Sequence, residues 1–265
     1  LSSAASDVYK RQQLEQTIMD VGIDASGLQK DDDVHTTLAL VHTYPDGDRD
    51  FSFYRNPGAD MMLTEAEVPE ELIKGTRIFH FGTLSMTNEP VRSATRHAIK
   101  VAKENGAILS FDPNIREPLW KDMEDARTQM AYGLSVCDIL KISDNEIQWF
   151  SGKEDYTEGI HMLQQTYQIP LILLSMGRDG SRAYYKDMLV EVPAFLQKNT
   201  IETTGAGDTF GACCLHHILK YGLDNLTKQQ LKEMLTFANA AASIITTRKG
   251  ALRVMPSLEE IQRLL

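Results

Sequence analysis

Thr203-Thr204-Gly205-Ala206-Gly207-Asp208 lies between a segment of extended character and a helical pattern that starts around Gly207. Two glycines in such a place let the backbone approach a ligand closely and take up conformations closed to other residues. Free N–H groups at the start of a helix, aided by the positive end of its dipole, make an anion site. A carboxylate beside such a site serves binding of an anion poorly. It serves well as a base that takes a proton from an attacking hydroxyl. A glycine turn followed by an N-capping aspartate reads the same way. A dinucleotide fingerprint fits badly, because its third glycine position, 210, is Phe, and no G-x-x-x-x-G-K-[ST] loop occurs.

Three further polar clusters each follow a short apolar run. Asp112-Pro113-Asn114-Ile115-Arg116 follows Ala107–Phe111 and offers amide donors and a guanidinium suited to phosphate oxygens. An Asx-Pro turn with a surface arginine has the same composition. Lys141-Ile142-Ser143-Asp144-Asn145-Glu146 ends a second run, where Glu146 reads as an ordinary first-turn helix acid. Ser175-Met176-Gly177-Arg178-Asp179-Gly180-Ser181 ends a third, and suits either a tight turn over a ligand or a plain hairpin connection. Asn239 sits in mid-helix among alanines, an unusual place for a side chain that competes for backbone hydrogen bonds.

The elements that must position these groups follow from periodicity. Residues 1–12 are rich in Ser and Ala and lack apolar periodicity, so they are set apart as a non-native or disordered tail. A helical pattern begins at Leu14, Ile18 and Val21. Thr36–Tyr44 and Arg49–Tyr54 alternate and flank Pro45-Asp46-Gly47-Asp48, which predicts a hairpin within residues 34–56. From Leu72 onward, strand-like runs at 77–81, 107–111, 139–142 and 171–175 alternate with helical stretches near 89–104, 122–136 and 157–167. That order predicts a parallel sheet covered by helices on both faces, with ligands at the strand C-termini. A second hairpin at 181–185 and 189–192 and two closing helices, 207–221 and 228–246, complete the chain.

Composition bounds the partners. The 265 residues are 42% hydrophobic and 24% charged, with a formal net charge of −10. An acidic surface argues against nucleic acid and anionic membrane. The three cysteines, two of them adjacent, indicate no disulfide framework. No apolar stretch approaches the length of a membrane span and no signal-peptide core is present, which points to the cytoplasm.

Glu202-Thr203-Thr204-Gly205-Ala206-Gly207-Asp208-Thr209-Phe210 resembles the second signature of the PfkB (ribokinase-like) carbohydrate kinases. The resemblance implies a ribokinase-like three-layer α/β/α fold with a mostly parallel central sheet and a small β-sheet lid, over residues 13–265. It implies Asp208 as catalytic base, with Gly205, Ala206 and Gly207 as the anion hole. Asp112 to Trp120 is similar to the fructokinase and ketodeoxygluconate kinase stretch, which implies Asn114 and Arg116 as substrate-binding residues. Ser143 and Glu146 match a pattern that organises Mg²⁺ and phosphate through water. Ser175, Gly177 and Gly180 match a nucleotide loop, and Asn239 the residue beside adenine, so the implied cofactors are ATP and Mg²⁺. A K⁺ site is implied near Arg248-Lys249-Gly250-Ala251, although Glu202 stands where the family has Asp.

Phe53-Tyr54-Arg55-Asn56-Pro57-Gly58-Ala59-Asp60 resembles the bacterial fructokinases and makes Arg55 a candidate sugar contact. The implied reaction is transfer from ATP to the 6-hydroxyl of fructose, with ketodeoxygluconate or ribose as alternative acceptors and an inactive nucleotide-binding fragment as the reading from another class. The lid implies a homodimer. A typical family member begins earlier, with a first core strand and a Gly-Gly-x-x-x-Asn signature not recognisable in residues 1–12. The chain is therefore expected to be N-terminally truncated, poorly soluble and weakly active or inactive, with strand edges exposed.

Overall fold

A computed structural model describes residues 3–43 and 49–265. Helix α1 spans Ser3–Asp20, so it begins well before Leu14 and takes in most of the segment set apart as a tail. Its side chains reach the rest of the chain through Lys30 and Glu15, 2.7 Å apart, and Arg253, which donates to Thr17 Oγ1 at 2.5 Å. Strands β1 (Leu38–Thr43) and β2 (Arg49–Tyr54) form the expected antiparallel hairpin, with Leu38 opposite Tyr54. Its turn, Pro45–Asp48, lies outside the described residues.

The remainder alternates: α2 (Glu70–Lys74), β3 (Ile78–Gly82), α3 (Val91–Glu104), β4 (Ile108–Asp112), α4 (Met123–Val136), β5 (Ile139–Ser143), α5 (Asp144–Ser151), α6 (Tyr156–Tyr167) and β6 (Leu171–Ser175). Then come β7 (Ser181–Tyr185), β8 (Met188–Val192), α7 (Ala206–Tyr221), α8 (Lys228–Ile245) and α9 (Leu258–Leu264). The strands form one six-stranded sheet in chain order, β3 to β8. Strands β3 to β6 run parallel, and β7 and β8 turn back antiparallel, which is the mostly parallel sheet expected.

Period-2 alternation splits the core into two layers. Phe111, Leu140, Ile142, Ile172 and Leu174 face one side with helices α3 to α6. Ile139, Leu171, Leu173, Ala183 and Tyr185 face the other, against Phe210, Cys214 and Ile218 of α7 and Leu231, Met234 and Leu235 of α8. Each such fully buried aliphatic side chain stabilises the fold by about 1.5–3 kcal/mol. The same alternation puts three polar residues, Ser110, Asp112 and Lys141, on this second face. Among the described residues no helix is long and apolar enough to cross a membrane.

Candidate active site

The site grows from where the parallel strands end. β4 stops at Asp112, and Thr83 holds the turn after it by donating Oγ1 and its backbone N–H to the Pro113 carbonyl, at 2.5 and 3.2 Å. Asn114 then takes a left-handed conformation, φ 45°, a region that short polar side chains tolerate. One strand over, Ser143 caps α5 reciprocally: Glu146 Oε2 accepts from the Ser143 amide and hydroxyl at 2.9 and 2.8 Å. The other carboxylate oxygen accepts from the Ile115 amide at 3.0 Å. Glu146 thus ties the two strand ends together.

Opposite them, α7 opens on Gly205, whose φ of 76° belongs to the left-handed region. A side chain there would also press on Ile245 and Ala251. The turn closes through Ala206 N–H to the Thr203 carbonyl, 3.2 Å, and the Gly205 carbonyl receives the Thr209 amide at 2.8 Å. Asp208 lies exposed in the first turn. A cleft of about 280 Å³ joins these pieces, and Asn114, Arg116, Glu146, Ser175, Gly205 and Asp208 all line it, as do Gly177 and Gly207.

Two further hollows open off this cleft. One, of about 290 Å³, is largely apolar and runs past Ala206 to Phe195, Leu196 and Asn239. The other, of about 260 Å³, lies on the β3 side between His80, Leu84, Ser85, Asp112, Asn114 and Asp208. Asp208 and Asn114 therefore stand between a polar cleft and a second chamber.

Three residues singled out from the sequence sit differently. Asn239 lines the apolar hollow, but its side chain is engaged: Oδ1 accepts from Ser181 Oγ at 2.9 Å and Nδ2 donates to the carbonyls of Val192 and Pro193. It braces the end of β8. Gly180 does not line the cleft. Its φ is 100°, and a Cβ there would run into the Val192 carbonyl oxygen, so it holds the β6–β7 connection against the chain leaving β8. Arg55 is buried outside the cleft, donating to Asp60 Oδ2 at 2.7 Å, Thr87 Oγ1 at 2.9 Å and the Leu84 carbonyl at 2.8 Å. It fastens the hairpin to the segment that lines the second chamber.

Sequence reasoning assigned no role to Lys141, His80 or Ser110. Lys141 Nζ is 2.8 Å from Asp112 Oδ2, with both side chains almost wholly buried. Burial pushes the Asp112 carboxyl up to about 6, against the pull of the Lys141 ammonium. Burial also works against the Lys141 charge, but the Asp112 carboxylate and then Glu146 outweigh it, so the ammonium is held above its ordinary value. His80 Nδ1 lies 3.0 Å from Ser110 Oγ, and burial lowers its pKa. One signal was available: a lysine inside the run Ile139-Leu140-Lys141-Ile142 breaks the unbroken apolarity that a doubly covered parallel strand otherwise shows.

A metal would have to be held lightly here. Among the described residues no group of three or more His, Cys, Asp or Glu side chains is arranged to hold an ion directly. The hard oxygen donors at the rim, Ser143, Asp144 and Glu146, fit a Mg²⁺ that keeps its own waters. Glu202 Oε1 accepts from the Gly250 amide at 2.7 Å, which brings together the two segments considered for a monovalent cation.

Residues 7–258 match the model of the pfkB family carbohydrate kinases. The chain is 39% identical over 248 residues to fructokinase-1 of Zea mays, covering 94% of this chain and 76% of that one. Fructokinase-1 of Oryza sativa subsp. japonica is 38% identical over the same shares. Among solved structures, the fructokinase of Vibrio cholerae O395 bound to fructose, ADP and calcium ion superposes with a TM-score of 0.87 at 28% identity, covering 96% of this chain and 81% of that one. The fructokinase of Xylella fastidiosa with bound ATP gives 0.85 at 28% identity, over 96% and 80%.

Proposed function

The chain belongs to the pfkB family of carbohydrate kinases, and on that premise we propose that it catalyses ATP-dependent phosphorylation of D-fructose at the 6-hydroxyl. One observation carries the assignment of roles: Asp208 stands where the polar cleft meets the β3-side chamber, beside the helix-start amides of 205–207. The nucleotide lies with its base in the apolar hollow beside Phe195 and its phosphates in the cleft. The ketose occupies the chamber that Asp208 and Asn114 share with His80.

In this arrangement Asp208 accepts the proton of the attacking hydroxyl as the new P–O bond forms. The amides of Gly205 and Gly207 and the Arg116 guanidinium receive the charge that gathers on the transferring group, while the Ala206 amide, expected from the sequence to join them, is bonded to the Thr203 carbonyl and holds the turn. Glu146, already bonded to Ser143 and Ile115, would hold a Mg²⁺ through its waters, and the ion when bound would offset phosphate charge. Asn114 orients the acceptor. Hydrogen bonds anchored in sheet and helix backbone set the positions of Glu146 and the 205–207 loop, which favours pre-orientation of the reacting groups.

The hairpin supports a homodimer. A two-stranded ribbon is marginally stable alone, and this one leaves Leu40 and Tyr54 exposed, Tyr54 by 66%. An acidic kinase that acts on a free sugar and ATP belongs in the cytoplasm.

Binding and transfer are tested separately. Calorimetry should show ATP binding by the chain, and a coupled assay across fructose, ribose and ketodeoxygluconate should give its highest kcat/KM with fructose. Preference for another acceptor would move the substrate assignment. ATP binding with no transfer to any acceptor would favour a nucleotide-binding role.

A further inference from the structure

The Lys141–Asp112 pair sits where a stability argument expects none. Both residues stand on the α7 side of the sheet, in a layer that, apart from Ser110, is built from apolar residues such as Ile139, Leu171, Leu173, Phe210 and Cys214. Taking two charges out of water there costs several kcal/mol per ion, of order what their attraction returns, and well-packed apolar residues in the same space are often as stable or more so. The pair is also incomplete. Asp112 Oδ1 is buried and accepts no hydrogen bond from any described residue. A half-satisfied network is worse for the fold than an apolar one.

Its position gives it another use. A Cβ built on Gly207 would lie 3.1 Å from Lys141 Nζ, so the ammonium sits directly beneath the loop whose Gly205 and Gly207 line the cleft. Lys141 also lines the cleft itself, together with Arg116, Glu146 and Asp208. Three carboxylates, Asp112, Glu146 and Asp208, act on that one ammonium. A polyphosphate entering among them meets like charge, which a fixed ammonium at the same place offsets.

We propose that Lys141 is a further residue of the transfer machinery: a fixed ammonium beneath the 205–207 loop that offsets charge on the phosphoryl group in transit, positioned by Asp112. The inference rests on the kinase reading above. It assigns the buried pair a reason that packing does not supply. A Cβ at position 207 would crowd the ammonium at 3.1 Å, so glycine there lets loop and ammonium sit close together.

The test compares affinity for ADP with affinity for ADP plus fluoroaluminate, a mimic of the group in transit, in the presence of fructose and Mg²⁺. Wild type should prefer the fluoroaluminate complex. Lys141→Met should bind ADP within about threefold of wild type yet lose that preference by about 10²-fold, with a matching fall in kcat and little change in the KM for ATP. Lys141→Arg should keep part of it. Should Lys141→Met fold poorly, Lys141→Met/Asp112→Leu removes both charges; it should regain the melting temperature and still lack the preference. A double variant that regains both, or a well-folded Lys141→Met that keeps the preference, makes the pair structural and overturns the proposal. So does wild-type ADP binding with no fluoroaluminate preference, which leaves the nucleotide site intact. Failure of wild type to bind ADP at all overturns the kinase reading first.

Discussion

The cleft edge and the hairpin are held in opposite ways. At the ends of β4 and β5, and where β7 starts beside the end of β8, polar side chains bond across elements: Glu146 to Ser143 and Ile115, Thr83 to Pro113, Asn239 to Ser181, Val192 and Pro193. Each bond joins two pieces of backbone already fixed by a sheet buried on both faces. The hairpin has two strands and leaves Leu40 and Tyr54 in water. Its main tether is Arg55, which spreads three bonds over Asp60, Thr87 and Leu84. Phosphoryl transfer needs atoms fixed to within a fraction of an ångström, whereas an acceptor must enter and leave. The molecule puts the doubly covered sheet edge on the first task and an exposed two-stranded ribbon, fastened through Arg55, on the second.

The comparison breaks most sharply if removing a chemical group from the cleft disturbs the fold, or leaves turnover intact. Asp208→Asn keeps the shape and removes the base. Turnover should fall by about 10²–10⁴ while ATP binding persists, and stability should stay within about 0.5 kcal/mol because the side chain is exposed. Near-normal kcat would remove Asp208 from its role.

Gly180→Ala probes how far the cleft depends on backbone beneath it. The residue touches no ligand space, but its φ of 100° and the blocking Val192 carbonyl leave no room for a methyl group. The variant should lose about 2–3 kcal/mol of stability and bind ATP more weakly, since both the 177–180 turn and the 194–197 segment border the nucleotide hollow. A neutral result by thermal melting would show that this connection yields easily.

How much of this was legible in the sequence divides along the same line. The apolar runs at 139–142 and 171–175 and the helical spacing between them gave the sheet and its ligand-binding edge, because buried strands must read as apolar. The clusters at Asn114, Glu146 and Asp208 meet in one cleft as the topology requires. What spacing cannot carry is which way a side chain spends its hydrogen bonds. The resemblance implies Asn239 and Arg55 as ligand contacts, yet each has its side chain engaged in bracing its neighbours. Lys141 stands at the head of a polar cluster in the sequence, but spacing alone does not show that its ammonium meets Asp112 of the neighbouring strand. The helix α1 start at Ser3 was invisible, since Ser and Ala without apolar periodicity give no face to read.

Arg55→Met sharpens the contrast from the hairpin side. Removing the guanidinium leaves Thr87 Oγ1 without its donor, while the Leu84 carbonyl still accepts from Thr87 Oγ1 at 3.2 Å and Asp60 remains half in water, so the cost should be about 1–2 kcal/mol. If Arg55 acts as tether, the KM for fructose should rise while the KM for ATP and the affinity for ADP hold. A direct sugar contact would instead show as a loss that Arg55→Lys partly restores, since an ammonium can still donate to a hydroxyl but cannot span Asp60, Thr87 and Leu84 together.

The smallest effect reads the buried pair by pH. Asp112 binds its proton more tightly in the folded chain, at about 6, than at the ordinary 3.8 of an unfolded chain. A folded pKa raised in this way contributes stability below about 3.8, and that contribution is lost as pH rises through 6. Lys141 is the cation that restrains the rise. Lys141→Met should therefore lift the folded pKa further and move the upper end of the stability loss to higher pH, with each pKa interval of one worth about 1.4 kcal/mol. Melting temperatures of wild type and variant between pH 4 and 8 measure it: the curves should converge in acid, where the carboxyl is protonated with or without the lysine, and separate toward neutrality. Parallel curves would mean that Asp112 does not feel the ammonium, and would return the pair to the same footing as the tethers of the hairpin.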